Sequence, residues 1–397
     1  MTEPRGNNSG MPALPPMDDP WGRPGFSAGE GDKLWGKNRT FLGDVWHRFR
    51  HKFTSVLGLA LILAVLFFAL LGPRVSRFSY KEQNLSYVNL PPYFQVIVRG
   101  DAHFYVTSNL KLIELDAAGH VAGAPDKLRA DDAKKQIIFS YNEHELTLDY
   151  KEKPYTLLDD GGRRVENRRF LWNRTYLLGS DSLGRDIMTR LMYGAQISLL
   201  VAVMAALTNL VIGVLFGSVS AYCGGTVDNV MMRIVDMISI LPLTLYVIMI
   251  KLFLDAGLSS IVLALGTVYW VNMARVVRGE ILSLKERDFI LAAITIGSSS
   301  GTIIFRHLIP NAMGPILVTM TMLIPQAIFM EAFLSFIGLG LSPPLASLGT
   351  MCSDSLAALR TSPYQLFGPA LLICILMFGF NFVGDGLRDA LDPKLRK

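Results

Sequence analysis

Residues 191–227 read LMYGAQISLLVAVMAALTNLVIGVLFGSVSAYCGGTV and contain no Asp, Glu, Lys or Arg in 37 positions. A helix needs about 20 mostly apolar residues to cross the hydrocarbon core of a bilayer. The stretch is therefore long enough to hold a membrane span. A buried helix of a large soluble protein can also be apolar on every side, but its apolar run rarely exceeds about 15 residues. Residues 191–227 thus indicate a membrane protein.

Charge is missing from other blocks of the chain as well. Four further stretches lack charged residues, namely 53–73, 256–274, 311–330 and 361–384. A sixth candidate, 230–254, has charged ends and an uncharged middle. Only 18% of all residues are charged and 51% are hydrophobic, against about 25% charged in soluble domains. This composition argues against a soluble enzyme, a disordered protein and a nucleic-acid binder, and it predicts an all-α polytopic membrane protein with six transmembrane helices.

The basic residues predict how the chain crosses the membrane. Short loops rich in Lys and Arg stay in the cytoplasm, whereas long domains are translocated largely regardless of their charge. The short basic segments are residues 1–52 with 8 Lys and Arg, 275–310 with 5, and 385–397 with 4. We therefore expect both termini and the 275–310 loop on the cytoplasmic side. The net charge of +5 is then an orientation signal, and no nucleic-acid partner is expected.

The segment before the first span has two features of note. Residues 1–52 begin with a stretch rich in Pro, Gly, Asn and Asp, which predicts a disordered cytoplasmic tail. Residues 31–37 match half of a phosphate-binding loop, but Asn38 replaces the Ser or Thr that would hold magnesium, so we interpret the match as chance. The hydrophobic run at 53–72 starts too far from the N-terminus for a signal peptide, and we expect it to be a retained transmembrane helix.

Residues 73–175 are too long for a simple loop and lack an apolar span. Short runs rich in β-branched and aromatic residues, separated by turn-like breaks, predict strands. These runs are Tyr93–Val98, Phe104–Val106, Leu110–Leu115, Gln136–Tyr141 and Glu145–Tyr150. We therefore expect a small, mainly β extracytoplasmic domain inserted after the first helix. His144-Glu145 is not followed by a second His at the spacing of a zinc protease, so an exposed hairpin tip is the expected role and no metal site is predicted.

The loop at 279–311 carries the strongest local signals. Ser283 and Glu286 have the spacing of a capping box, which predicts a helix from about Leu284. Gly297 is placed to end that helix in the left-handed conformation. Residues 298–300 are serines that can cap a second short helix, which Pro310 is expected to stop. Ala292 and Ala293 remove side-chain bulk before the turn, which suits either docking of a partner surface or packing of an ordinary helical hairpin.

These residues resemble the "EAA" loop of ABC-importer permeases. The resemblance rests on Ala292-Ala293, Gly297 and Pro310 in a cytoplasmic loop between late spans. It implies that the short helix docks into a cleft of a separate ATPase subunit, with Ser298 and Arg306 in the same coupling loop. Leu291 stands where the family usually has Glu, which argues against a specific salt bridge at that position.

Three further stretches are similar to the oligopeptide, dipeptide and nickel group of these permeases, and the last of them to the C-type subunit. They are LGSDSLGRDIMTRLMYGAQIS at 178–198, EAFLSFIGLGLSPP at 331–344 and NFVGDGLRDALDP at 381–393. The resemblance covers about residues 175–397 and, more weakly, the first span. It implies a type I ABC-importer permease core with five transmembrane helices over 176–397, in the bacterial cytoplasmic membrane.

The resemblance also implies the partners. A homologous second permease of the B-type would complete the passage, two ABC ATPase subunits would bind ATP and magnesium, and an extracytoplasmic binding protein would deliver peptides. This chain would then be a non-catalytic subunit without a cofactor. The alternatives are the same transporter class for nickel or another small solute, a membrane enzyme, or a membrane-anchored scaffold for the β domain. A membrane enzyme would need a nucleophile–base pair or metal cluster in the spans, and none is apparent in the sequence.

Single residues in the spans receive narrower predictions. Glu331 interrupts a long uncharged region, and because a charge in the bilayer is costly it should face protein or water. It either contacts the passage or ties the following loop, and we favour the tie. Asn272 and Pro325 are further candidates for the passage or outer gate. Near the C-terminus, charged residues are expected to form a cap at the membrane edge, namely Asp385, Arg388 and Asp389.

Overall fold

The computed structural model describes residues 41–391, apart from positions 143, 160, 166, 255 and 256. The predictions for the tail before residue 41, for the phosphate-loop match at 31–37 and for residues 392–397 lie outside this range. The chain divides into two compact units. Of the first, residues 1–44, only the first turn of a helix is described, and the second, Val45–Lys397, holds everything that follows.

The described chain is helical on both sides of a β insert. In chain order the helices are α1 (Phe41–His51), α2 (Phe53–Val75), α3 (Ile187–Cys223), α4 (Gly225–Ile240), α5 (Leu243–Phe253), α6 (Leu258–Lys285), α7 (Asp288–Thr295), α8 (Ser300–Thr302), α9 (Ile309–Leu334), α10 (Leu348–Leu356) and α11 (Tyr364–Leu391). Two π-helical segments, π1 (Ile303–Leu308) and π2 (Ser335–Leu339), adjoin the two ends of α9.

Within the described residues, five helical stretches are long and apolar enough to cross a membrane. They are α2, α3, α6, the continuous stretch Ser300–Leu339 and α11. The candidate span at 230–254 is broken, because α4 and α5 meet at an angle of 87°. Pro242 lies at the break, where its missing N–H and fixed φ interrupt the helical hydrogen bonds. By length and composition, the described residues thus hold five candidate spans, or six if the bent pair counts as one.

Helix α3 is the centre of the helical part and packs against α6, α9 and α2. Its contact with α6 is close because two glycines of α3 face that helix. A Cβ atom at Gly213 would lie 2.6 Å from the Met273 side chain, and one at Gly217 would lie 2.5 Å from the carbonyl oxygen of Ala274. Small residues at such contacts let two backbones approach, which is the usual way that membrane helices pack.

The first and last spans also pack together. A Cβ atom at Gly58 of α2 would lie 2.7 Å from the carbonyl oxygen of Gly379 in α11. At the start of α2, Lys52 Nζ donates a hydrogen bond to Asp389 Oδ2 over 2.6 Å. The start of α2 and the end of α11 therefore lie side by side.

The insert consists of two antiparallel five-stranded sheets, ordered β10-β1-β2-β3-β4 and β5-β6-β7-β8-β9. The strands are β1 (Tyr93–Arg99), β2 (Ala102–Val106), β3 (Leu112–Leu115), β4 (Val121–Gly123), β5 (Asp126–Asp131), β6 (Gln136–Tyr141), β7 (His144–Asp149), β8 (Thr156–Leu158), β9 (Arg164–Val165) and β10 (Arg168–Trp172). All five predicted runs are strands. Side chains from both sheets, including Phe104, Leu112, Phe139 and Leu146, share one apolar core.

Candidate functional site

The segment between α6 and α9 contains the residues that the sequence singles out for coupling. The predicted helix start at Leu284 is wrong, because α6 continues without interruption to Lys285 and Ser283 lies inside its last turn. Val277 and Ile281 are buried against neighbouring helices, and this packing favours the continuation of α6 to Lys285. The break follows at Arg287, which is extended, and α7 begins at Asp288 without a side-chain cap.

The end of α7 agrees with the prediction. Gly297 has φ +85°, a conformation that strains residues with a side chain. The Ser298 N–H donates to the Ala293 carbonyl over 3.0 Å, and the Gly297 N–H donates to the Ile294 carbonyl over 2.9 Å. These two bonds form a Schellman motif, which satisfies carbonyls at the helix end. Ser299 then caps the next helix by accepting from the Thr302 N–H.

Helix α7 has two different faces. Ile290 and Ala293, three positions apart, are buried in a cluster with residues of α6, π1 and α9. The opposite side is apolar yet exposed, and we call it the α7 apolar face. Its members are Phe289, Leu291, Ala292, Ile294 and, just beyond the helix, Ile296, which is 84% exposed. Exposed apolar patches of this kind are typical of surfaces that bind another molecule.

The helix after the turn runs through Pro310 and does not stop there, contrary to the sequence prediction. Pro310 lies at the start of α9, directly after π1. A proline has no N–H to donate, and its ring would clash with the carbonyl four residues earlier, that of Arg306. The wider turns of π1 accommodate this residue, so that the helix continues from Ser300 to Leu339. Arg306 itself is exposed.

Polar contacts brace the coupling segment against the preceding helices. Arg278 of α6 donates two hydrogen bonds to the Asp228 carboxylate of α4, over 2.6 Å and 2.5 Å. Lys285 Nζ donates to the Tyr222 carbonyl at the end of α3 over 2.7 Å. The Tyr222 hydroxyl donates to Ser300 Oγ over 3.3 Å. The ends of α3, α4, α6 and α8 are thus joined around α7.

Glu331 lies in a different place, close to the far end of α9. It is 1% exposed and accepts three hydrogen bonds from serine hydroxyls. Ser198 of α3 and Ser335 of π2 each donate over 3.0 Å, and Ser347 before α10 donates over 2.5 Å. Ser347 also caps α10 by accepting from the Thr350 N–H. The carboxylate therefore joins two helices and the loop that follows π2.

The two other candidates for the passage are apart from Glu331. Asn272 is exposed on α6, between the buried residues Val271 and Met273. Pro325 is buried within α9 and lines a cavity of about 380 Å³. Tyr269, Gln326 and Asn381 also line this cavity. Pro325 thus lines a cavity that is open to the surface of the described helices.

The three charged residues near the C-terminus lie exposed on the last turns of α11. Asp389 is paired with Lys52 as described above. The structure thus attaches this end of α11 to the beginning of the first span, and Asp385 and Arg388 lie on the same turns.

A family model for the "Binding-protein-dependent transport system inner membrane component" matches residues 209–397, and a model for the "N-terminal TM domain of oligopeptide transport permease C" matches residues 40–92. The oligopeptide transport system permease protein OppC of Bacillus subtilis (strain 168) is 38% identical over 371 residues, covering 94% of this chain and 95% of that protein. The chain belongs to this permease family. The dipeptide transport system permease protein DppC of the same strain is 49% identical over 220 residues, which cover 55% of this chain and 69% of that protein.

Among solved structures, the inward-facing MetNI methionine ABC transporter matches this permease with a TM-score of 0.45 and 17% identity. The match covers 52% of this chain and 98% of the other. A TM-score this low supports no inference on its own. The alignment to OppC, in contrast, extends over nearly the whole chain. The sequence similarity between the two permeases is therefore not confined to the helical core.

Sequence reasoning missed several residues of this permease that the structure brings together. The sequence indicates the α7 apolar face only in part, because Ala292 belongs to the quoted motif while Phe289 and Ile294 do not. Helical periodicity could have separated the inner pair, Ile290 and Ala293, from these outer residues. Asp228 and Arg278 are 50 positions apart in the sequence. No local sequence pattern predicts the hydrogen bonds between them. Within residues 41–391, less the five gaps, no group of His, Cys, Asp and Glu is arranged to hold a metal ion.

Proposed function

We propose that this permease is the membrane subunit of an ATP-driven importer of peptides, in which it forms half of the translocation passage. The observation that carries the proposal is the α7 apolar face, which is exposed although it consists of Phe, Leu, Ala and Ile side chains. Such a face is suited to the cleft of another protein. The peptide substrate is supported by the names of the relatives OppC and DppC.

The proposed arrangement counts the bent pair α4 and α5 as one span, which gives six spans with both termini in the cytoplasm. The distribution of Lys and Arg supports this orientation. The tail at 1–52 and the loop at 279–311 then face the cytoplasm, and the insert at 73–175 faces the outside. The permease core at 176–397 would lie in a bacterial cytoplasmic membrane.

The proposed partners are a homologous B-type permease, two ABC ATPase subunits and an extracytoplasmic binding protein. ATP and magnesium would be bound by the ATPase subunits, so that this chain performs no covalent chemistry. A shift of the docked α7 would be passed on through Ile290 and Ala293, because both are packed against α6, π1 and α9. The bonds of Arg278 and Lys285 would carry the same movement to α4 and α3.

The other site residues have supporting roles in this proposal. Ala292 contributes to the docking face, and Gly297 with Ser298 fixes its end. Arg306 and Pro310 belong to the helix that leads from α7 into α9. Glu331 acts as a tie at the other end of α9, and Pro325 faces the passage. Asp385, Arg388 and Asp389 form the cap at the membrane edge.

Uptake of labelled peptides by cells with and without this chain tests the proposal. We expect peptide uptake to depend on the chain, while uptake of nickel and of sugars does not change. Peptide uptake that persists in full without the chain would contradict the proposed function. Loss of nickel uptake alone would favour the alternative substrate within the same transporter class.

A further inference from the structure

A cavity of about 1030 Å³ opens between the end of α2, the start of α3 and the base of the β insert. We call it the α2–α3 cavity. Its walls are apolar side chains from two membrane-spanning helices. They include Phe67, Leu71 and Val75 of α2 and Met188 and Met192 of α3. The two walls touch, because a Cβ atom at Gly72 would lie 2.6 Å from Met192 Sδ.

The polar side of the cavity is basic. Arg74 and Arg77, at and just beyond the end of α2, and Arg174, at the base of the insert, line it. Within the part of the chain that the structure describes, none of these three guanidinium groups has an ion-pair or hydrogen-bond partner. His120 lines the cavity too, but its ring is hydrogen-bonded to Asp116 over 3.0 Å. Three cations are therefore available at the point where the apolar stretch of α2 ends.

One acidic side chain, Asp186, also lines the cavity. Its Oδ2 atom accepts hydrogen bonds from the Thr189 N–H over 2.8 Å and from the Thr189 hydroxyl over 2.6 Å. Burial raises the pKa of this carboxyl above its ordinary value. The Ser76 hydroxyl also has a partner, because it forms a hydrogen bond of 2.5 Å with the Thr189 hydroxyl. The cavity thus keeps a positive net charge beside a large apolar surface.

We propose that the α2–α3 cavity binds an anionic phospholipid. The phosphate lies among Arg74, Arg77 and Arg174, and an acyl chain lies along Phe67, Leu71 and Met192. Charge complementarity selects the headgroup, since guanidinium groups bind phosphate with paired hydrogen bonds. Three arginines alone would bind a free phosphate equally well. The apolar walls favour a phosphate that carries a hydrocarbon chain. Basic pockets between membrane helices bind lipid headgroups on the cytoplasmic side of membranes, and the same pairing of guanidinium with phosphate applies at the end of α2.

The site has a consequence for the insert. Arg174 belongs to the segment that leaves the second end of the insert, whereas Arg74 and Arg77 belong to the segment that enters it. One lipid phosphate would therefore hold both connections of the β insert at the membrane surface. This role is independent of the transported substrate, so it can hold or fail separately from the proposed function.

Native mass spectrometry of the detergent-purified transporter, with the full chain and its partners, tests the site. Phosphatidylglycerol is added at increasing concentration, and phosphatidylcholine and glycerol 3-phosphate are added in separate samples. We expect retention of phosphatidylglycerol and much weaker retention of the other two probes. Each arginine near a membrane surface contributes roughly a fivefold gain in binding of an anionic lipid, so the triple variant Arg74→Gln/Arg77→Gln/Arg174→Gln should bind on the order of 100-fold more weakly.

A matched control removes the same charge from exposed residues of the insert that do not line the cavity. The triple variant Lys127→Gln/Arg129→Gln/Arg163→Gln should retain phosphatidylglycerol as the wild type does. A second variant, Met188→Trp, keeps all charges but fills the cavity, and it should reduce retention of the lipid while the transporter stays assembled. Equal binding by the two triple variants, or equal retention of phosphatidylcholine, would overturn the proposal. Cross-linking of Val75→Cys to the second permease in the wild-type background, with no lipid retained, would overturn it as well.

Discussion

At the scale of the residue, the backbone of Gly297 fixes where α7 ends and where the next helix begins. Its φ of +85° costs a residue with a side chain about 1–2 kcal/mol. A Cβ atom at this position would meet no other atom within 4 Å. A substitution therefore acts through the backbone and not through a collision.

We expect Gly297→Val to insert into the membrane normally but to lose coupling between ATP hydrolysis and uptake, because the turn after α7 changes its direction. The measurement compares ATPase activity and peptide uptake in reconstituted vesicles. Gly301→Val is the matched control, since a Cβ atom at Gly301 would also meet no other atom within 4 Å, but Gly301 has no positive φ. Normal uptake by Gly297→Val would show that this turn has no part in coupling.

Glu331 is a second residue whose role can be isolated. Its carboxylate accepts from three buried hydroxyls, and a buried donor without an acceptor costs about 1–3 kcal/mol. We expect Glu331→Leu to lower the free energy of unfolding by about 3 kcal/mol or more, and Glu331→Gln by less, because the amide keeps one acceptor oxygen.

Thermal unfolding of the detergent-solubilised protein, followed by size-exclusion chromatography with fluorescence detection, measures the difference. Glu145→Leu, on an exposed position of β7, is the control and should leave the unfolding temperature nearly unchanged. If Glu331→Leu were as stable as the wild type but failed in uptake, Glu331 would belong to the passage and not to the tie.

At the scale of the element, π1 sets how α9 is oriented relative to α7. The segment allows Pro310 to follow a helix whose residues Ile303, Ile304 and Leu308 are buried. With Ala at position 310, a regular α-helical hydrogen bond to the Arg306 carbonyl could form. The π-helical turns would then no longer be needed, and the segment would become α-helical. One residue of α-helix corresponds to a rotation of about 100°, so the buried residues would turn away from the cluster around α7.

We therefore expect Pro310→Ala to reduce uptake severalfold while ATP hydrolysis continues. Pro315→Ala is the control, because Pro315 lies inside α9 and no π segment precedes it directly. The same vesicle assay reports both activities. An equal effect of the two substitutions would mean that π1 has no special role.

The elements of this protein differ in how well the sequence predicts them. The stretches without charge predict α2, α3, α6 and α11 because the solvation of charges by water is lost in a bilayer, which is a strong and local constraint. The capping box at Ser283 and Glu286 fails because a cap is worth about 1 kcal/mol, and burial of an isoleucine such as Ile281 is worth more. Strand β5 is missing from the sequence prediction because four of its six residues are charged and five are exposed.

The candidate site shows the same division. Gly297 and Ser299 act on their own neighbours in the chain, and the sequence predicts both. Ala293 packs in a cluster that includes residues of α6 and α9, and Ser198, one of the donors to Glu331, lies 133 positions away in α3. Those contacts become visible only once the packing is known.

At the scale of the whole molecule, the α7 apolar face predicts the composition of the assembly. We expect the solubilised protein to co-purify with two ATPase subunits and one second permease. The double variant Leu291→Asp/Ile296→Asp should lose most of the ATPase subunits, because two charges would be buried without partners. The second permease should remain, since the substituted residues lie outside the spans.

The control for this experiment is Leu128→Asp, an exposed apolar position of β5 in the insert. It should leave the composition of the purified assembly unchanged. Quantitative gel analysis of the subunits gives the ratio in each case. Full activity of the chain purified alone would contradict the proposed assembly.

The contact between the first and the last span has a consequence for synthesis of the protein. Lys52 and Asp389 are 337 positions apart, and a ribosome adds about 5–20 residues per second. After the first span is synthesised, on the order of half a minute therefore passes before α11, the helix on which Gly58 packs, is synthesised. During that interval its glycine-bearing side is open to lipid or to the insertion machinery. The helical part of the protein can close only when translation is almost complete.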